Sequence, residues 1–222
     1  MDTHDVSKAP EYLQYLRPLQ QTLQNAQSSK GQRPRVTKSR DEIIMQFMFR
    51  QMMGKATPNT LDDLRSSFVP PAYAPCIAPL SDLNKVMIND LTLETHHRGA
   101  YLLLRAVTPT DTMTAVMAIV EDETKNVLML QLFNQERELS TDGRLIEGTV
   151  LLVKEPYLKV MADGDYGIRV DHLSDVSRIP EHDSLVPLSW RRQLTEIDAS
   201  ANDWKMKGND FFNKASFHLA IE

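Results

Sequence analysis

EGTVLLVKEPYLKVMADGDYGIRVDHLSD, from Glu147 to Asp175, holds three short apolar runs and the residues that separate them. Thr149–Lys154 (TVLLVK), Tyr157–Ala162 (YLKVMA) and Gly167–Asp171 (GIRVD) have the length and composition of strands. Pro156 stands between the first two, where it makes a bulge or corner rather than interrupting a ladder. Asp163-Gly164, between the second and third, is a tight-turn signal. In the middle run Tyr157, Lys159 and Met161 share one face and Leu158 and Val160 the other, as in a half-buried strand.

Upstream lie three more such runs: Ala100–Val107 (AYLLLRAV), Thr114–Glu121 (TAVMAIVE) and Asn126–Phe133 (NVLMLQLF). Thr108-Pro109 and Glu121–Lys125 break them as turns, and the polar stretch Asn134–Gly143 is long enough for a short helix. Three strands, a short helix and two or three further strands follow the order of an OB-type barrel, with another small antiparallel barrel as the alternative. Closing such a sheet buries its apolar face and leaves few free edges.

The N-terminal third reads as helical. Tyr12, Leu16, Leu19 and Leu23 have helical spacing around Pro18. Ser39 and Glu42 form a capping-box pattern ahead of Ile43, Ile44, Phe47, Met48 and Met52, with Gly54 as the stop. Met45, Met48, Met52 and Met53 are expected in the core or a partner groove, or as an adaptable binding face. A third helix runs from Leu61 to Phe68, and Pro70, Pro71, Pro75 and Pro79 then mark a boundary. The expected α+β organisation is a helical, partly disordered arm over 1–69, a Pro-rich linker over 70–89 and a small OB-like antiparallel β-barrel over 90–178. A linker over 179–198 and a C-terminal segment over 199–222 complete it.

With 222 residues, a charged fraction of 25% and a net charge of −5, the chain is an ordinary folded one. Its apolar runs fall short of the ~18–20 residues of a membrane span. The polar start MDTHDVSKAPEY is no secretory signal, and there is one cysteine and no N-x-[ST] sequon. An intracellular location, cytoplasmic and/or nuclear, is expected. Residues 79–187 carry ten Lys/Arg against eighteen Asp/Glu, a net of −8, which repels phosphate. The basic cluster Lys30–Arg40 (KGQRPRVTKSR) reads as a solvated linker, or as a nuclear-import or RNA-touching tail. Only Tyr101, Phe133, Tyr157 and Tyr166 offer stacking rings between Gly99 and Asp175, so nucleic acid is disfavoured as a partner.

No pattern announces catalysis. Cys76 has no neighbouring His, and His96 and His97, adjacent on a strand, point to opposite faces. Glu94, His96 and His172 are the residues a metal would need brought together. Asp163-Gly164-Asp165 begins like a calcium loop but has Ile168 where its glycine belongs. Asp171, His172, Ser174 and Asp175 hold the residue types of a hydrolase triad yet read as a strand end and turn. The expectation is no catalytic residue, no metal and no cofactor.

The C-terminal ANDWKMKGNDFFNKASFHLAIE, Ala201–Glu222, resembles the opening of a tetratricopeptide repeat (TPR), with Trp204, Gly208, Phe211, Phe217 and Ala220 at its large, small, aromatic, aromatic and small positions. Trp204 and Phe211 are two turns apart on one face, with Gly208 between them to admit a second helix. The repeat is ~34 residues long, so the chain reads as the N-terminal part of a longer protein or a truncated product. Together with TAVMAIVED, VLMLQLFNQE and Glu147–Asp175, the repeat resembles the N-terminal half of fungal TPR/SET-domain proteins, whose SET domain is of the protein-lysine methyltransferase type. SET signatures are absent here, so the resemblance implies a non-catalytic adaptor with protein partners at the TPR region. An OB-type single-stranded nucleic-acid module with a basic arm is the alternative. From TPR domains that bind acidic C-terminal tails, Lys205 and Asn209 match the residues that hold a terminal carboxylate. Membrane contact is not expected, and the oligomeric state is left open.

Overall fold

The computed structural model describes Gln24 and residues 27–35, 38–56, 72–112, 115–133, 145–161, 164–191 and 201–213. Its strands are β1 (Asn84–Lys85), β2 (Thr95–His96), β3 (Ala100–Ala106), β4 (Asp111–Thr112), β5 (Val116–Glu121), β6 (Val127–Leu132), β7 (Val150–Lys154), β8 (Tyr157–Val160), β9 (Tyr166–Val170) and β10 (Val176–Ile179). Two helices are described, α1 (Arg40–Ala56) and α2 (Ala201–Asn213). The expected helices at Tyr12–Leu23, Leu61–Phe68 and Asn134–Gly143 lie outside the described residues.

All ten strands belong to one sheet, in the order β10-β7-β3-β5-β6-β9-β8-β2, with β1 added to β3 and β4 to β5. β7 and β8 stand near opposite ends of that order, yet only Glu155 and Pro156 separate them in the chain. The sheet therefore curls until its ends approach. Glu155 makes the corner with φ at 45°, a left-handed value uncommon for a residue with a side chain. Its carboxylate is held by the Gly99 N–H at 3.1 Å and by Arg98.

Register explains the core. Leu102 and Leu104 of β3 lie opposite Val153 and Leu151 of β7. Val116, Ala118 and Val120 of β5 lie opposite Leu132, Leu130 and Leu128 of β6, and Leu130 and Leu132 lie beside Ile168 and Val170 of β9. These alternate residues fill the inside of the curl, joined by Ile88, Leu91, Leu93 and Leu145 from the connections. Burying each large aliphatic side chain is worth ~1.5–3 kcal/mol. The strands are nearly continuous in apolar residues because the outer face is covered too, as in sheets packed on both sides.

The expected α+β arrangement is corrected on three counts. The OB-like antiparallel barrel is replaced by a ten-stranded mixed sheet, because β6–β9 and β1–β3 run parallel. A parallel neighbour needs a long crossover, which here contains β7 and β8, and strand periodicity does not record direction. The N-terminal helical arm is replaced by α1 lying on the sheet, with Phe47 buried against Ile119, Met129 and Met161. The TPR hairpin expected at 199–222 is replaced, among the described residues, by the single helix α2; Phe217 and Ala220 lie outside them.

Ser39 does cap α1, its Oγ accepting from the Glu42 N–H at 3.3 Å, but the helix passes Gly54 and ends at Ala56. One glycine's cost of ~1 kcal/mol does not by itself stop a helix. The Met residues are not packed in the core: Met45 is 70% exposed and Met52 63%.

Candidate functional site

The basic stretch from Lys30 is not a solvated linker. Gly31 N–H donates to Leu93 C=O at 2.8 Å, and Leu93 N–H donates back to Gln32 C=O at 2.8 Å. Lys38 then bonds both carboxylate oxygens of Asp165, at 2.6 and 2.8 Å, beside the β8–β9 hairpin. In that hairpin Gly164, with φ at 83°, donates to Met161 C=O at 2.9 Å. Arg40 reaches Glu121 Oε2 with Nε at 3.0 Å and Nη2 at 2.8 Å.

These anchors hold the stretch away from the sheet on one side of α1 and leave a cleft of about 340 Å³. Ile119, Val127 and Met129 of the sheet and Phe47 of α1 form its apolar floor, and Arg33, Arg35, Lys38 and Arg50 stand around it. Arg33 and Arg35 are exposed and make no ion pair among the described residues. Positive charge is thus gathered at one mouth, on a domain whose residues 79–187 sum to −8.

Glu121 locks the cleft's helical wall. Its side chain is 2% exposed, and Arg105, directly opposite in the β3–β5 register, donates Nε to Oε1 at 3.1 Å. Burial alone would raise the Glu121 pKa, but hydrogen bonds from Arg105 and Arg40 more than offset it and hold it below the usual carboxylate value. The bond to Glu121 in turn raises the Arg40 pKa. Arg105 also lies over the Trp190 ring, 5.2 Å from its centroid.

The residues weighed as metal or triad members have other work. His97 accepts from the Thr92 N–H at 3.0 Å through Nε2, and its Nδ1 lies 3.1 Å from Pro156 C=O. Glu94 accepts from the Tyr157 hydroxyl at 2.8 Å and the Val160 N–H at 2.7 Å. His96 sits edge-on to Tyr73, ring centroids 4.4 Å apart, and its pKa is lowered, by burial first and then by Arg98. His172 meets the Tyr73 carbonyl, Asp171 accepts from Arg169 Nε at 2.7 Å, and Asp175 accepts from the Cys76 N–H at 2.9 Å. Together they pin residues 73–76 against the sheet. Burial pushes the Tyr73 pKa up to about 12, which keeps its hydroxyl protonated. Among the described residues no three His, Cys, Asp or Glu side chains gather as metal ligands would. No described helix is long and apolar enough to cross a membrane.

Lys205 and Asn209 lie on α2, one turn apart and both exposed, and Gly208 between them is half-buried. Trp204 and Phe211 belong to the same helix. Sequence reasoning noted the cations of Lys30–Arg40 but missed their docking, and it missed the Arg40–Glu121–Arg105 bridge. An acidic residue closing the apolar run VMAIVE was the available signal.

No family model matches the chain. A protein named "Methyltransferase" from Gibberella zeae is 36% identical over 210 residues, covering 94% of this chain. The chain spans 27% of that relative's length. A crystal structure of fission yeast Pot1 with single-stranded DNA matches 46% of the chain at 9% identity, with a TM-score of 0.36. The relative corrects the expectation of a non-enzyme: the protein this chain resembles over most of its length is named for a methyl-transfer activity. The expectation had rested on missing SET motifs in a chain that spans about a quarter of that relative.

Proposed function

We propose that the chain is part of a TPR/SET-domain protein-lysine methyltransferase and that its sheet and cationic cleft contribute to holding the protein to be methylated. The observation that supports this most is the 36% identity sustained over 94% of the chain to a relative named as a methyltransferase. The SET-type assignment is finer and rests on the resemblance of Glu147–Asp175 and Ala201–Glu222. A protein substrate suits the −8 charge of residues 79–187, which disfavours nucleic acid. On this reading α2 contacts a second protein, with Lys205 and Asn209 donating to a terminal carboxylate, in the cytoplasm or nucleus.

The test is methyl transfer by the intact gene product. Incubated with methyl-labelled S-adenosylmethionine and fractionated cell protein, it should place label in protein that hydrolyses to N-methyl-lysine. Label confined to nucleic acid or small molecules, or absent from every fraction, would overturn the reading.

A further inference from the structure

We propose that the cleft between α1 and the sheet takes an extended acidic peptide and seats one of its apolar side chains on the floor. The volume of about 340 Å³ lies at the small end of ligand pockets and suits one or two large side chains. Apolar Phe47, Ile119, Val127 and Met129 line the cleft together with polar Gln46 and Asn89. Met129 gives that floor a side chain able to adjust its shape.

The rim sets the charge of the occupant. Arg33 and Arg35 are exposed and without an ion pair among the described residues, and Lys38 and Arg50 stand beside them. On a chain of net −5 this is a local reversal of sign, which steers and orients an anion.

One feature favours a short peptide over nucleic acid: a nucleic-acid backbone runs on past the rim over a domain whose residues 79–187 sum to −8, whereas a short peptide meets only the rim. The proposal stands on the cleft alone and needs no methyl transfer.

The test uses the 222-residue chain and short fluorescein-labelled peptides rich in Asp and Glu around a central Leu, read by anisotropy. Saturable binding is expected, weakened about tenfold or more by the double substitution R33E/R35E. Replacing the peptide's Leu by Ser should also weaken it several-fold, a control that leaves the protein untouched. Far-UV circular dichroism checks that the variant stays folded. The proposal fails if no binding saturates, if R33E/R35E or the Leu-to-Ser peptide binds as well as its parent, or if a single-stranded oligonucleotide displaces the peptide at equal or lower concentration. No methyl donor is present, so failure here removes the cleft from the holding of a protein substrate but leaves methyl transfer standing, and failure of methyl transfer leaves this proposal standing.

Discussion

Phe47 and Trp190 each close an apolar patch on the outside of the same curled sheet, one from α1 and the other from the C-terminal end of the domain. Trp190 and Val186 cover Leu103, Val150 and Leu152, and the cations beside them are engaged, Arg105 over the Trp190 ring and Arg191 on the Val186 and Asp183 carbonyls. Phe47, Ile43 and Ile44 cover Ile119, Met129 and Met161, but the neighbouring basic stretch leaves a cleft open to solvent. A cover that completes a core contributes stability, whereas one that leaves a cleft rimmed by the exposed Arg33 and Arg35 has room for a ligand. Glu121 joins the two through Arg40 and Arg105, so neither is independent of the other.

The strongest way to break this contrast is to truncate both rings. Trp190→Ala should cost ~3–5 kcal/mol, much of the 5–15 kcal/mol stability of a typical domain. In urea it should lower the unfolding midpoint of the whole sheet. Phe47→Ala removes a ring buried as deeply, but α1 can open without disturbing the strand ladders. Its effect should appear as faster amide exchange over residues 40–56, with a midpoint loss under half that of Trp190→Ala. Equal midpoint losses would show that α1 belongs to the same cooperative core as Trp190.

Glu121→Gln tests the joint between the covers. Hydrogen bonds to a charged group are worth ~1.5–3 kcal/mol, and both arginines keep partial solvent access, so the expected loss is about 2–3 kcal/mol. The acid limb should change as well. A carboxylate whose pKa is lowered by folding contributes fully above its unfolded value, 4.5, and loses that contribution as pH falls through the folded value. Glu155 is lowered in the same way: its burial is outweighed by bonds from the Gly99 N–H and Arg98. Wild-type stability should therefore fall below pH 4.5, and Glu121→Gln should fall less steeply. Parallel profiles from melts across that range would remove Glu121 from the linkage.

Strand positions were legible because alternation and turn residues are local. The runs at Ala100, Thr114, Asn126, Thr149, Tyr157 and Gly167 coincide with β3 and β5 to β9 to within two residues. Strand direction was not legible, since β6 and β9 are brought side by side by a crossover that periodicity cannot see. The cleft was less legible still. Lys30–Arg40 has little apolar content, and it docks through backbone bonds at Gly31 and Gln32 and ion pairs at Lys38 and Arg40, none of which leaves a hydropathy pattern. The non-enzyme expectation failed for a different reason: motifs were sought in a chain that covers 27% of its methyltransferase relative.

A smaller effect is expected at Gly167, in β9 beside Met129. A Cβ there would stand 2.9 Å from Met161 Sδ and 3.0 Å from the Met129 carbonyl oxygen. The thioether can swing aside, but the carbonyl belongs to the sheet. Gly167→Ala should cost about 1–3 kcal/mol as overpacking beneath α1. A neutral result in urea would mean that the cleft side of the sheet yields more readily than the contrast with the Trp190 side allows.

The smallest stability effect belongs to Lys38 and Asp165, and it sharpens the contrast because the two covers then separate by function. Their side chains are 28% and 32% exposed, so the pair has the water access of a surface ion pair, worth ~0–1 kcal/mol. Lys38→Ala and Asp165→Asn should each move the urea midpoint little. Their effects on acidic-peptide binding should have opposite signs. Asp165 is the carboxylate lining the cleft, so Asp165→Asn releases the Lys38 ammonium to the ligand and removes a repulsion, while Lys38→Ala removes a cation and leaves Asp165 facing the peptide. An energy of ~0.5–1 kcal/mol corresponds to a change of about two- to fivefold in affinity. Tighter binding by Asp165→Asn and weaker binding by Lys38→Ala, both shrinking as salt is raised, would locate the ligand at this mouth. Equal shifts in the same direction would mean that the pair acts only by holding the basic stretch in place, and the cleft would then differ from the Trp190 cover in shape but not in use.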